Sequence, residues 1–193
     1  GRVTLKVKRF HERLTSVLGG DYWKDILWDQ EKSVRAKSDQ VMQRYRERIS
    51  EFGPAYTGSC PVQSRPGAGI KYFITFFSRH PDAMLLMNDA MCSAYQHRMY
   101  EATTEGTIFH GTDWRAARNL QGLKECALNT IRMRPRRSRL EIWLEIVQAQ
   151  FMRHLASEFR SVVSELVKDG SVGYDDVRGT GRLNDDSRLF VRN

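Results

Sequence analysis

Cysteine is scarce in this chain. Cys60, Cys92 and Cys126 stand far apart in 193 residues, and no C-x-x-C pair exists to found a structural zinc site. A sparse, odd count fits a reducing compartment, so the cytoplasm is the expected location. No apolar run approaches the ~20 residues that span a bilayer, and no membrane partner is expected. The opening GRVTLKVKRFHERL lacks the apolar stretch and small-residue cleavage site of a signal peptide. His11, His97, His110 and His154 show no metal-ligand spacing. No G-x-G follows a strand near the start, and PGAG (66–69) precedes its strand, so the sequence offers no phosphate-cradling turn and no cofactor is expected.

Acidic residues are also in deficit. Asp and Glu number 23 against 31 Lys and Arg, a net charge of +8, with a pI near 9.6. Such a surface favours a polyanionic partner, nucleic acid first and DNA ahead of RNA; the plainer reading is a basic surface with no dedicated ligand. At 40% hydrophobic and 28% charged the chain belongs to the globular class, with room for one domain or one domain plus a small module.

What is present is mostly helical pattern. VTLKVKRF alternates apolar and basic residues and is open to strand or helix. DYWKDILWDQ places Trp23, Ile26 and Leu27 at helical spacing. EKSVRAKSDQVMQRYRERISEFG predicts a helix with Val34, Val41, Met42, Tyr45 and Ile49 as its apolar stripe and Gly53 at its end. PAYTGSCPVQSRPGAG holds three of the five prolines and predicts a loop with one short strand. IKYFITFFS (70–78) is aromatic and β-branched on both faces, the pattern of a central strand. Pro81 then starts a Met-rich helix, whose methionines read as core filling. DWRAARNLQGLKECALNTIRM predicts another helix, softly interrupted at Gly122.

The last third changes character. Leu140, Trp143, Leu144 and Val147 predict one helix, FMRHLA a short second one, and Phe159, Val162, Val163, Leu166 and Val167 a third, capped by Ser157. SVGYDDV predicts a strand, RGTGRLNDD a hairpin tip and SRLFVRN the return strand. This order resembles a winged helix-turn-helix. The resemblance implies a third helix in the major groove and a wing on the backbone. Ser157, Arg160, Ser161 and Ser164 lie off the apolar stripe, and Arg178 and Arg182 flank the tip. Residues 132–160 carry seven arginines, Arg137 and Arg139 among them, against three glutamates, a net of +4, enough for several phosphate contacts. The expected nucleic-acid contacts are therefore Arg137, Arg139, Ser157, Arg160, Ser161, Ser164, Arg178 and Arg182. Glu158, Glu165, Asp175, Asp176, Asp185 and Asp186 oppose a phosphate, and some winged helices serve only as packing modules.

Residues 10–91 carry a second resemblance. RLTSVLGGDYWKDI, VMQRYRERISEFG and KYFITFFSRHPDAMLLMNDAM, through Leu18-Gly19, Trp23, Tyr45, Gly53, Tyr72, Phe73, Phe76, Ser78, His80, Pro81, Met87 and Met91, resemble the carboxy-terminal half of the three-Cys-motif partner proteins, TcmP. The Ser-x-His-Pro piece is the most specific part. The resemblance implies a Rossmann-type, methyltransferase-like fold and a role beside a radical-SAM-like protein in nucleic-acid repair or phage defence. The cofactor-binding half of such a fold is absent here. His80, at the end of a strand and the start of a helix, is either a base or phosphate contact or, as favoured here, a structural His-Pro turn. Asp82 and Asp89 read as dipole-favoured or solvated positions.

The expected fold is mixed α/β and helix-rich: a partial Rossmann-like half-domain over residues 1–130 and a winged helix-turn-helix over 131–193. The expected function is the nucleic-acid-binding component of a TcmP-like system of repair or defence, without a complete active site. The rivals are a fragment of a SAM-dependent methyltransferase-like enzyme lacking its cofactor half, and a protein-interaction subunit in a larger complex.

Overall fold

A computed structural model describes residues 2–53, 56–116 and 118–192, with side chains from residue 8 onward. The fold is mixed α/β and helix-rich, with two small sheets. Its packing divides into residues 1–55 and residues 56–193.

The first unit is three helices, α1 (Arg2–Leu18), α2 (Tyr22–Trp28) and α3 (Val34–Glu51). The opening segment is thus helix, although the side chains of its first alternating residues lie outside the described ones. Gly19 ends α1 in the left-handed region at φ 72°. Trp23 and Ile26 of α2 are buried, and Trp23 Nε1 donates to Thr15 Oγ1 at 3.1 Å. Ser33 caps α3, its side chain accepting from Ala36 N–H at 3.2 Å. The expected stripe of α3 is weaker than its pattern: Met42, Tyr45 and Ile49 are half-buried, Val34 is 82% exposed, and no residue of α3 is fully buried. The many charged side chains of this helix leave only a narrow apolar seam.

The second unit begins with an antiparallel pair, β1 (Tyr56–Gln63) and β2 (Ile70–Ser78). An eight-residue strand therefore occupies half of the expected proline-rich loop, whose first two positions lie outside the described residues. β2, expected at the centre of a sheet, is one of two strands in its sheet among the described residues. Its aromatics serve packing: Phe76 stacks on Phe151 at 6.1 Å. Gly58 of β1 lies so close to this layer that an added Cβ would meet Met84 and Phe151 at 2.5 Å.

After α4 (Pro81–Thr104), residues 105–116 run through turns, and the next helix is α5 (Gln121–Met133). This helix starts later than the pattern from Asp113 suggested and contains Gly122 without interruption. Next come β3 (Arg137–Ser138), α6 (Arg139–Ala149), α7 (Ala156–Lys168), β4 (Val172–Asp175) and β5 (Arg188–Val191). The three short strands form an antiparallel sheet in the order β3-β5-β4. Leu123, Ala127 and Ile131 of α5 pack with Ile142, Ile146 and Val147 of α6 and Val162, Val163 and Leu166 of α7 into one core. Trp143 stacks on Phe159 at 5.0 Å inside it. The expected boundary at residue 130 falls within α5, in the middle of this core. FMRHLA is not a helix: residues 151–153 form a turn, with Met152 at φ 62°, and Phe151 and Met152 are buried beneath it.

Candidate nucleic-acid interface

The site is built around α7, and α4 holds the start of α7 in place. Asn88 of α4 is fully buried. Its Oδ1 accepts Met152 N–H at 2.9 Å and its Nδ2 donates to the His154 carbonyl at 2.8 Å. Asp89 Oδ1 accepts Ala156 N–H at 3.1 Å, and Glu158 Oε2 accepts Leu155 N–H at 2.8 Å. These contacts supply acceptors to amides that a helix start leaves unpaired. The helix therefore begins at Ala156, and Ser157, expected as its cap, sits exposed in its first turn. Arg118 braces the same corner: its Nε lies 2.6 Å from Glu158 Oε1, and its guanidinium also donates to the Arg153 carbonyl. Burial, then the charges of Arg118 and Arg153, push His154 down to about 4. His154 is consequently neutral at pH 7.

One face of α7 is exposed. Phe159, Val162, Val163 and Leu166 point into the core, while Ser157, Arg160, Ser161 and Ser164 are exposed on the other side. The hydroxyl of Ser164 donates to the Arg160 carbonyl at 2.8 Å, and Glu165 and Lys168 are also exposed. The loop between β4 and β5 is shaped by Asp176. Its carboxylate accepts from Arg178 N–H at 3.0 Å, from Gly181 N–H at 2.5 Å and from the Thr180 hydroxyl at 3.4 Å. Gly179 and Gly181 take φ 67° and 69°, a conformation natural to glycine.

The five expected arginines differ sharply. Arg139 is 8% exposed, and its Nε and Nη2 donate to Asp185 Oδ1 at 3.1 and 2.8 Å. It braces α6 against the loop before β5 and is withdrawn from any phosphate. Arg160 Nη2 lies 3.6 Å from the other oxygen of Asp185. Arg137 pairs with Glu141 at 2.7 Å, and Arg178 pairs with Asp186. Arg182 is exposed, with no carboxylate partner among the described residues. Exposed pairs of this kind contribute only about 0–1 kcal/mol, so a phosphate can displace the carboxylates of Arg137, Arg160 and Arg178; the buried Arg139 pair is different in kind. Arg153 and Arg188, not singled out by the sequence pattern, are exposed near the same elements.

The Ser-x-His-Pro junction has a structural explanation. His80 N–H donates to Ser78 Oγ at 3.0 Å, His80 occupies the N-cap position of α4 and Pro81 its first turn. No acid or base is hydrogen-bonded to the His80 ring among the described residues. Asn88 and Arg118 are the residues that sequence reading missed; Asp89, read as dipole-favoured or solvated, accepts Ala156 N–H, and Glu158 and Asp185, read only as opposing a phosphate, accept from Leu155 N–H and Arg139. The adjacent Asn-Asp pair in the middle of an apolar helix was the available signal, since a fully buried Asn requires partners. Comparison of the chain with protein-family models, with curated proteins and with solved structures finds no match.

Proposed function

We infer that α5 to β5 forms a winged helix-turn-helix that binds nucleic acid, DNA ahead of RNA, with α7 as the groove-entering helix and residues 176–187 as the wing. The order helix, strand, helix, turn, helix, strand, loop, strand, with the first strand beside the last, supports this reading. On it the module starts at Gln121, one helix earlier than the sequence pattern suggested. The observation that carries the proposal is the exposed row Ser157, Arg160, Ser161 and Ser164 on a helix whose opposite face is core. Short hydroxyls and one arginine suit base-edge and phosphate contact. Arg178 and Arg182 at the wing reach the backbone, and Arg137 adds a contact at the foot of α6. Within the proposal, β1, β2 and α4 belong to a TcmP-like, methyltransferase-like half-domain, and the chain acts in repair or defence beside a partner protein.

The test is binding of fluorescent random-sequence duplex DNA at several salt concentrations. Three or four phosphate contacts give a log-log slope of about −3. A second reading, a protein-interaction subunit, is favoured by the carboxylates that pair with Arg137, Arg160 and Arg178. Absent binding at low salt decides for that second reading.

A further inference from the structure

β2 has the composition of a strand with neighbours on both sides. IKYFITFFS is apolar and aromatic on both faces, yet β1 is its one ladder partner among the described residues. Tyr72 and Phe77 are left 52% and 46% exposed. The direction of its free ladder groups follows from β1. The Pro61 carbonyl accepts from Tyr95 Oη at 3.5 Å, and Gln63 N–H donates to the same oxygen at 3.3 Å. Those groups point away from β2, so the even-numbered residues of β1 bond to it, because bonded and unbonded positions alternate. Through the pairs Val62–Tyr72, Cys60–Ile74 and Gly58–Phe76, the N–H and C=O groups of Phe73, Thr75 and Phe77 turn to the far edge. No backbone group among the described residues bonds to them there. Pro61, which lacks an N–H, and Tyr95 close the edge of β1, whereas no proline closes the edge of β2.

Charge selects the partner. Residues 64–81 hold Arg65, Lys71 and Arg79 and no carboxylate, and all three cations are exposed. A second copy paired antiparallel about Thr75, the centre of the free groups, sets Lys71 against Arg79 at each end. The net charge of +8 on each chain adds to that repulsion. A strand with acidic ends has the opposite balance. We propose that the free edge of β2 takes up an extended, β-branched segment of a partner protein as a third strand, with an acidic residue at each end. The segment exchanges hydrogen bonds with Phe73, Thr75 and Phe77, and its carboxylates meet Lys71 and Arg79. The proposal needs only this edge and does not rest on nucleic-acid binding.

The test uses the full 15N-labelled chain and the capped peptide Glu-Val-Thr-Val-Thr-Val-Thr-Val-Glu as the probe. The amide resonances of Phe73, Thr75 and Phe77 move and exchange more slowly with water, ahead of those of Tyr72, Ile74 and Phe76. The dissociation constant is on the order of 0.1 mM. The same peptide with lysine at both ends binds at least about tenfold more weakly. Thr75→Pro removes an outward N–H that β1 does not use, and lowers the affinity at least about tenfold while the chain keeps its melting transition. Lys71→Glu with Arg79→Glu reverses the preference to the lysine-ended peptide, which keeps the test decisive if the proline variant unfolds. Unmoved amides at about 1 mM peptide overturn the proposal. So does equal affinity for the two peptides, or an unaltered preference in the charge-reversed variant. Movement of the same amides on concentrating the chain alone overturns it too, because the occupant is then a second copy.

Discussion

The Asp89 carboxylate on α4 accepts the backbone N–H of Ala156, the first residue of α7, at 3.1 Å across 67 residues of sequence. Its neighbour Asn88 holds the turn just before that helix through Met152 N–H and the His154 carbonyl. The proposed reading helix therefore takes its starting point from an element outside the helix-turn-helix.

Replacing these two residues separates their roles. Asn88→Ala leaves a buried amide and carbonyl unpaired and destabilises the chain by about 2–4 kcal/mol. Asp89→Ala removes one capping hydrogen bond and costs about 1 kcal/mol. Urea unfolding followed by circular dichroism measures both, and equal losses would contradict the assignment of the larger role to Asn88.

Asp185 is the acceptor shared by Arg139 and Arg160. Asp185→Asn leaves Arg139 as a largely buried cation without its counter-charge, a loss of about 1–2 kcal/mol because Asp185 itself is half-exposed. Adding Arg139→Met removes that cation as well, and most of the stability returns. The difference between single and double variants in chemical denaturation checks the coupling.

Alanine at Arg160, Arg178 and Arg182 together weakens DNA binding and reduces the salt slope by about one for each phosphate no longer neutralised. All three side chains are exposed, so the melting temperature changes little. Arg139→Ala acts in the opposite way, lowering stability first. Unchanged DNA affinity in the triple variant removes the interface assignment.

His154 makes stability depend on pH. Folding pushes it down to about 4, chiefly by burial and then by Arg118 and Arg153, whereas in the unfolded chain it titrates near its ordinary value of about 6.5. Between these values the unfolded state binds a proton that the folded state refuses. The contribution is present in full above about pH 6.5 and is lost as pH falls toward 4, on the order of 2 kcal/mol after solvent screening. Glu158 does not reverse this sign, because Arg118 already engages it at 2.6 Å. Relative to the parent chain, His154→Gln shows a shallower decline over that range in urea titrations.

Periodicity in the sequence was enough to place α7 and the direction of its faces, because Phe159, Val162, Val163 and Leu166 repeat at the helical period and can be buried only together. It was enough, too, for the two strands around the loop shaped by Asp176, and for the turn at His80-Pro81, where local chemistry suffices. It did not reveal that residues 151–153 form a turn, since Phe151 and Met152 are apolar in either conformation and it is Asn88, from another helix, that satisfies the Met152 amide. Nor did it separate Arg139 from Arg137. Both are arginines in a basic run, and which one faces Asp185 depends on how the loop before β5 folds back onto α6. Charge and period are properties of a segment and can be read along it. Which carboxylate meets which guanidinium is a property of elements distant in sequence, and only tertiary packing brings those together.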